Sequence, residues 1–360
     1  MTFQQFFLHY GMTSPSKILV KTFILGANHG QYMQALGLKV QIKRFDPRIA
    51  IYHSLFNNHV VKELLIHIVS FSLIKYLRFL LVWCRNFSFD ISHWTVPAKF
   101  DIAIIGSDMV WSMTGSIFKL SDFYFSGYPA KKVFAYAPSC GHVNELLPSN
   151  LRFCLSTFNR VSVRDYQARD AVALCPAPPI VCDPALFYFE SLPSCSFSPS
   201  SLIDILIYGL PSLADFLPHL IFPRDYVVNS CRSPFYSKTF SLLSVFDNLI
   251  DQFQHPLYVF KEYELSSFIL TGTFHGVIFA LITGRPFLCV ADDSVIARLE
   301  PYIQFFGSDR LIKADSFSKG RFFSIADSIL SPGYDYSSLS RFVDFSREWL
   351  RDAIYNPYSP

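Results

Sequence analysis

Residues 268–290, FILTGTFHGVIFALITGRPFLCV, decide how this chain folds. A short apolar run, Phe268–Thr271, stops at Gly272-Thr273. A longer one, Phe274–Thr283, opens with His275-Gly276, and a third starts after Pro286. Strand, turn, apolar helix and strand in so short a span form a βαβ unit, and such a unit requires a parallel sheet buried on both faces. The helix begins at the carboxyl end of its strand. Its first N–H groups lack intrahelical partners and stand at the positive end of the dipole, which suits phosphate or carboxylate. Thr271 or Thr273 can cap it or donate to a ligand, and Gly276 lets another group approach the backbone closely.

The same alternation extends in both directions. Upstream, strands are expected at Lys17–Leu25, Val40–Phe45, Asp101–Ile105, Lys132–Ala137, Arg160–Val163 and Ile180–Cys182, with a helix over Asp165–Leu174. Ser191–Ser201 is dense in Ser and Pro, as a linker would be. Beyond it, strands are expected at Ile203–Tyr208, Tyr226–Asn229, Leu257–Phe260, Phe268–Thr271 and Pro286–Val290. Helices are expected at Lys238–Gln252, Phe274–Thr283, Val295–Phe305 and Ser338–Tyr355. The expectation is an α/β protein of two Rossmann-like domains facing a cleft: residues 1–190, a linker at 191–201, residues 202–335, and a C-terminal helix within 336–360. Ligands of such sheets bind outside the carboxyl ends of the strands.

A chain of 360 residues, 51% of them apolar and 38 of them Phe, can bury two cores and cannot be disordered. The net charge of +3 comes without a Lys/Arg run, which argues against nucleic acid as a partner. The eight cysteines form no C-x-x-C pair, so they are expected to be buried or half-buried thiols in a reducing compartment. Met1–Ser16 has no basic start followed by an apolar block, so a cytoplasmic location is expected. Leu64–Trp83, within an amphipathic helix at about 60–83, is of bilayer-crossing length. It carries His67, Lys75 and Arg78, and on the helix as a whole Glu63, His67, Ser70, Lys75 and Arg78 fall on one side, so it is expected to pack on the core. The alternative is peripheral contact with the inner face of a membrane or a lipid-linked substrate.

Polar residues collect at the predicted strand ends. His275 is a capped structural histidine or, kept neutral at a helix start, a base or hydrogen-bond donor. Asp108, closing DIAIIGSD with a helix expected from about Met109, is an N-cap or a group that meets a hydroxyl. Arg164 pairs with Asp165 or Asp170, or forks onto an anion. Gly26–Leu36 is a glycine-flanked turn that lacks the G-x-G-x-x-G pattern. The chain contains no Walker A sequence, no G-x-S-x-G, no H-E-x-x-H and no D-x-D, so neither a metal nor a cofactor is expected.

Taken in order, GANHGQYMQAL (26–36), DIAIIGSDMVW (101–111), FAYAPSCG (134–141), VSVRDYQA with VCDPALF (161–168 and 181–187) and TGTFHGVIFALITGRPF (271–287) resemble the polysaccharide pyruvyl transferase family. The resemblance implies a GT-B-like fold and transfer of pyruvate from phosphoenolpyruvate to a saccharide acceptor, as a ketal. It implies His275 and Asp108 as catalytic groups. It implies Arg164, Thr273, Gly276, Asn28, Gly30, Gln34, Ser107, Ser139 and Gly141 as the substrate-binding set. Many members carry an arginine two residues before the histidine, where this chain has Thr273, and His29 stands where an aromatic is more usual. Two other readings share the architecture. One is a nucleotide-sugar glycosyltransferase, for which Glu300 is the nearest ribose-binding acid, and the other is a saccharide-binding relative without catalysis.

Overall fold

A computed structural model describes residues 15–54, 73–90, 100–112, 124–125, 128, 130–141, 145–189, 203–209, 226–231, 255–317 and 333–356. The expected linker and the helix expected at Lys238–Gln252 lie outside the described residues. The first half contains β1 (Lys17–Lys21), α1 (His29–Phe45), β2 (Ala50–Ser54), α2 (Leu73–Asn86), β3 (Ser88–Asp90), β4 (Phe100–Ile105), β5 (Ala130–Ala135), α3 (Ser149–Ser156), β6 (Arg160–Val161) and α4 (Tyr166–Val172), then a 3₁₀ turn at Pro184–Phe187. The second contains β7 (Ile203–Tyr208), β8 (Tyr226–Cys231), α5 (Tyr258–Leu265), β9 (Phe268–Thr271), α6 (Phe274–Thr283), β10 (Phe287–Ala291), α7 (Asp293–Phe306), β11 (Leu311–Lys313) and α8 (Tyr336–Tyr355).

Among the described residues the first half makes one parallel sheet in the order β3-β2-β1-β4-β5-β6, and the second makes another, β11-β10-β9-β7-β8. Both are doubly wound parallel sheets. β1 is central because Ile18, Leu19 and Val20 are all buried, with Ile18 in register with Ile51 on one side and Ile102 on the other. In each sheet strand order reverses once, between β1 and β4 and between β7 and β9, and these reversals open the crevices where ligands of such sheets bind.

α1 starts where Asn28 Oδ1 accepts the Gly30 and Gln31 N–H groups at 2.8 and 3.4 Å. It ends with Lys43 and Arg44 against the negative end of its dipole. This corrects the expected strand at Val40–Phe45. The β-branched residues there suggest a strand, but burial of Gly37, Leu38, Gln41 and Ile42 follows the 3.6-residue period. Leu257–Phe260 is corrected in the same way: α5 buries Val259, Phe260 and Tyr263 along one helical face. After β4, residues 109–111 form a turn in place of the expected helix, so Asp108 is no N-cap.

α8 ties the two halves together. The Ser346 hydroxyl accepts the Cys182 N–H at 2.8 Å, Trp349 packs on Tyr136, and Phe342 meets Tyr302 of α7. One continuous apolar core therefore runs from Ile18 through Tyr136 and Phe279 to Leu350. Of the amphipathic helix expected at about 60–83, residues 60–72 lie outside the described residues; over the rest, α2 buries Tyr76, Phe79, Val82 and Trp83 in the core and presents Leu77 and Leu81 outward beside Arg78 and Arg85. No described helix is long and apolar enough to cross a membrane. Cys84, Cys140, Cys154, Cys175, Cys182 and Cys289 are free thiols, but Cys84 and Cys175 are exposed, which corrects the expectation that all would be covered.

Candidate active site at the meeting of two helix starts

The two crevices face each other. The Gly272 N–H bonds to the Gly209 carbonyl at 3.1 Å, closing the β7/β9 reversal directly beneath the start of α6. Thr273 caps this helix: its Oγ1 accepts the Gly276 N–H at 3.0 Å, leaving the Phe274 and His275 N–H groups in the first turn. Gly276 must be glycine, because a Cβ there would stand 1.9 Å from the Thr271 hydroxyl. His275 then projects onto the first turn of α1. A Cβ on Gly30 would lie 2.2 Å from His275 Nδ1, so only glycine admits the imidazole. Two helix N-termini, one from each half, thus bracket one histidine.

Beneath the imidazole lies Asp183, wholly buried at the start of the 3₁₀ turn. Its Oδ2 accepts Gln34 Nε2 of α1 at 2.6 Å and Arg164 Nη1 at 2.8 Å, and stands 3.7 Å from His275 Nε2. Its Oδ1 accepts the Ala185 N–H at 2.9 Å, and its own N–H donates to the Tyr302 hydroxyl of α7 at 2.7 Å. Burial alone would raise the carboxyl pKa, but His275, Arg164 and Gln34 outweigh it and hold the group well below the usual carboxylate range. Asp183 is therefore a fixed anion that gathers residues from both halves. His275 Nε2 stands 3.7 Å from it, beyond hydrogen-bond reach, and the imidazole, 16% exposed, keeps access to the cleft.

Arg164 does not pair with Asp165 or Asp170, as its sequence neighbours suggest, because Asp165 is spent capping α4 on the Ala168 N–H at 2.7 Å. Arg164 is fully buried and lies 4.5 Å from the centroid of Phe274, with its Nε and Nη2 unpartnered among the described residues. Asp108 has φ 76°, the left-handed region that Asp tolerates better than most residues. Its Oδ1 accepts the Met109 N–H at 2.8 Å and its carbonyl accepts the Ser139 N–H at 2.8 Å. Ser139 Oγ accepts the Gly141 N–H at 3.2 Å and also bonds Asp165, while the Ser107 carbonyl accepts the Thr22 hydroxyl at 2.9 Å.

The residues expected from sequence thus divide into two groups. His275, Gly30, Gln34, Arg164, Thr273 and Gly276 converge on one point. Asn28 is the α1 cap, half-exposed at its rim. Ser107, Ser139, Gly141 and Asp108 form the opposing loop framework, where both serine side chains are buried. Sequence reasoning missed Asp183, Phe274, Tyr302 and Arg298. An Asp-Pro closing a β-branched run, as in VCDP, was the available signal for Asp183. Among the described residues no group of three His, Cys, Asp or Glu could hold a metal ion.

In comparisons with known proteins, no curated sequence matches the chain. Solved structures similar to it include the lipopolysaccharide outer core galactosyltransferase WaaB (10% identity, 94% of this chain and 99% of that one, TM-score 0.48). The UDP-GlcNAc 2-epimerase from Neisseria meningitidis is similar at 11% identity, 94% and 99% coverage and TM-score 0.47. That from Methanocaldococcus jannaschii is similar at 9% identity, 91% and 99% coverage and TM-score 0.45. The family model described as polysaccharide pyruvyl transferase matches residues 28–294, from the Asn28 cap to the first turn of α7, and so takes in Asp108, Arg164, Asp183 and His275. The chain belongs to the polysaccharide pyruvyl transferase family.

Proposed function

We propose that the protein transfers pyruvate from phosphoenolpyruvate to a saccharide, as a ketal, in cell-surface polysaccharide biosynthesis. The observation that carries this reading is His275 at the start of α6, 3.7 Å from the Asp183 carboxylate, beside the α1 N-terminus and above the Arg164–Asp183 pair. Two saccharide oxygens add to the enol carbon of the donor, and its C–O bond to phosphate breaks. One hydroxyl proton ends on the methylene carbon, which becomes methyl, and the other leaves with phosphate. The first-turn N–H groups of α6 receive the donor's anionic groups, and the positive charge of the buried Arg164 behind them, paired with Asp183, adds to their field. His275 moves a proton at Nδ1, with Asp183 steadying whichever charge state it takes. Asp108, across the cleft, meets the acceptor. In the same reading the protein works at the cytoplasmic side, and Leu77 and Leu81, flanked by Arg78 and Arg85, rest on the membrane that carries a lipid-linked acceptor.

The test is thermal unfolding with and without millimolar phosphoenolpyruvate. A ligand at ~100 times its dissociation constant adds ~2.7 kcal/mol, a rise of roughly 3–4 °C for a chain of this size. Arg164→Ala should abolish the rise. Absence of a shift in the wild type, or a shift with a nucleotide sugar in its place, would overturn the donor assignment.

A further inference from the structure

We infer that Arg298, on α7, is a second cation that grips the donor's anionic group, beside Phe274 at the start of α6. The inference rests on the donor reading above but concerns a residue beyond the stretch matched by the family model. Arg164 is sealed, with no exposed surface, and spends Nη1 on Asp183. Thr273 spends its hydroxyl on the helix cap. The charge available at the cleft surface comes from elsewhere.

Arg298 has the placement required. Its guanidinium carbon lies 5.9 Å from the centroid of Phe274, the same ring that carries Arg164 at 4.5 Å. Phe274 is the first residue of α6 and stands beside His275. The Arg298 Nε donates to the Ser294 carbonyl one turn back at 3.1 Å, which fixes the stem. Nη1 reaches across to the first half and meets only the Met109 sulfur at 3.4 Å, a weak acceptor. The side chain is half-buried, and among the described residues it has no ion pair, although Asp108, Asp165 and Asp292 lie within electrostatic range. Burial, then the neighbouring Arg164, lowers its pKa. Arg298 thus stands on the same ring as Arg164 without an ion pair among the described residues, and its Nη groups can donate to two oxygens of a phosphate or carboxylate.

The experiment is isothermal titration of wild type, Arg298→Met and Arg298→Lys with phosphoenolpyruvate and, separately, with inorganic phosphate. The expected result is binding of phosphoenolpyruvate to wild type, weakened roughly 10- to 100-fold in Arg298→Met. Unliganded melting should stay unchanged. Equal affinities would overturn the inference. If wild type ignores phosphoenolpyruvate, the donor reading fails and the phosphate titration decides for Arg298. Loss of phosphate affinity in Arg298→Met then sustains its role, whereas equal or absent phosphate binding overturns it. Should Arg298→Met not fold, Arg298→Lys carries the comparison. A two-pronged contact predicts roughly ten-fold weaker binding than wild type, and wild-type affinity refutes it.

Discussion

Replacing Asp183 by Asn keeps the shape of the side chain and removes the charge on which both halves converge. Three donors now end on it, at 2.6, 2.8 and 2.9 Å, and both members of the Arg164 pair are fully buried. The amide can still accept from one donor, but Arg164 loses its counterion in a site without water access. Removing one partner of such a pair costs about 3–5 kcal/mol. With an unfolding entropy near 2.1 cal/mol/K per residue, a chain of 360 residues should melt roughly 4–7 °C lower. Arg164→Met should cost a similar amount. The double variant should cost at least about 2 kcal/mol less than the sum, because its buried charges vanish together. The pH dependence has a definite sign. Asp183 is held below its unfolded value of about 3.9, so its contribution is complete above that pH and is lost as pH falls below it. The stability gap between wild type and Asp183→Asn should stay constant from about pH 5 to 8 and shrink only in stronger acid. Denaturant unfolding of the four proteins measures all of this. A cost below ~1 kcal/mol for Asp183→Asn, or simple additivity, would refute the hub.

Two further outcomes follow from contacts of the same kind. Gly30→Ala places a methyl 2.2–2.6 Å from three atoms of an imidazole already bounded by Phe274, Phe279 and Asp183. It should cost about 1–3 kcal/mol by overpacking and lower kcat at least roughly ten-fold; wild-type values in melting and turnover would show that His275 can move aside freely. Lys21, buried beneath the Tyr128 ring, has its pKa lowered by burial from 10.5 to about 8. Its charged form therefore costs stability below about pH 8, and the cost fades as pH rises to about 10.5. From pH 7 to 10.5, wild type should gain up to about 3 kcal/mol on Lys21→Met in denaturant titrations, and a flat difference would contradict the burial.

Local pattern was enough for the parts of this protein that are local. The stretch 268–290 carries strand, cap, helix and strand within itself, and β9 and α6 fall at the residues its apolar runs delimit. A threonine cap for α6 and the doubly wound class follow from spacing at strand ends, whereas the membership of His275 and Arg164 in one site came from the family resemblance. Where local signals competed, tertiary burial chose. The β-branched Val40 and Ile42 favour a strand in isolation, yet they lie in α1 because one face of that helix covers the core. The site itself was only half legible. Asp183, Gln34 and Arg164 are far apart in the chain, and their meeting depends on the 3₁₀ turn docking against α1. Arg298 and Tyr302 sit on a helix whose sequence shows only an amphipathic pattern, and nothing in that pattern says what its polar side faces. Hydrophobic periodicity fixes which side of an element turns inward, whereas which charge meets which depends on how two separately wound sheets pack. For this chain only the tertiary structure decided that.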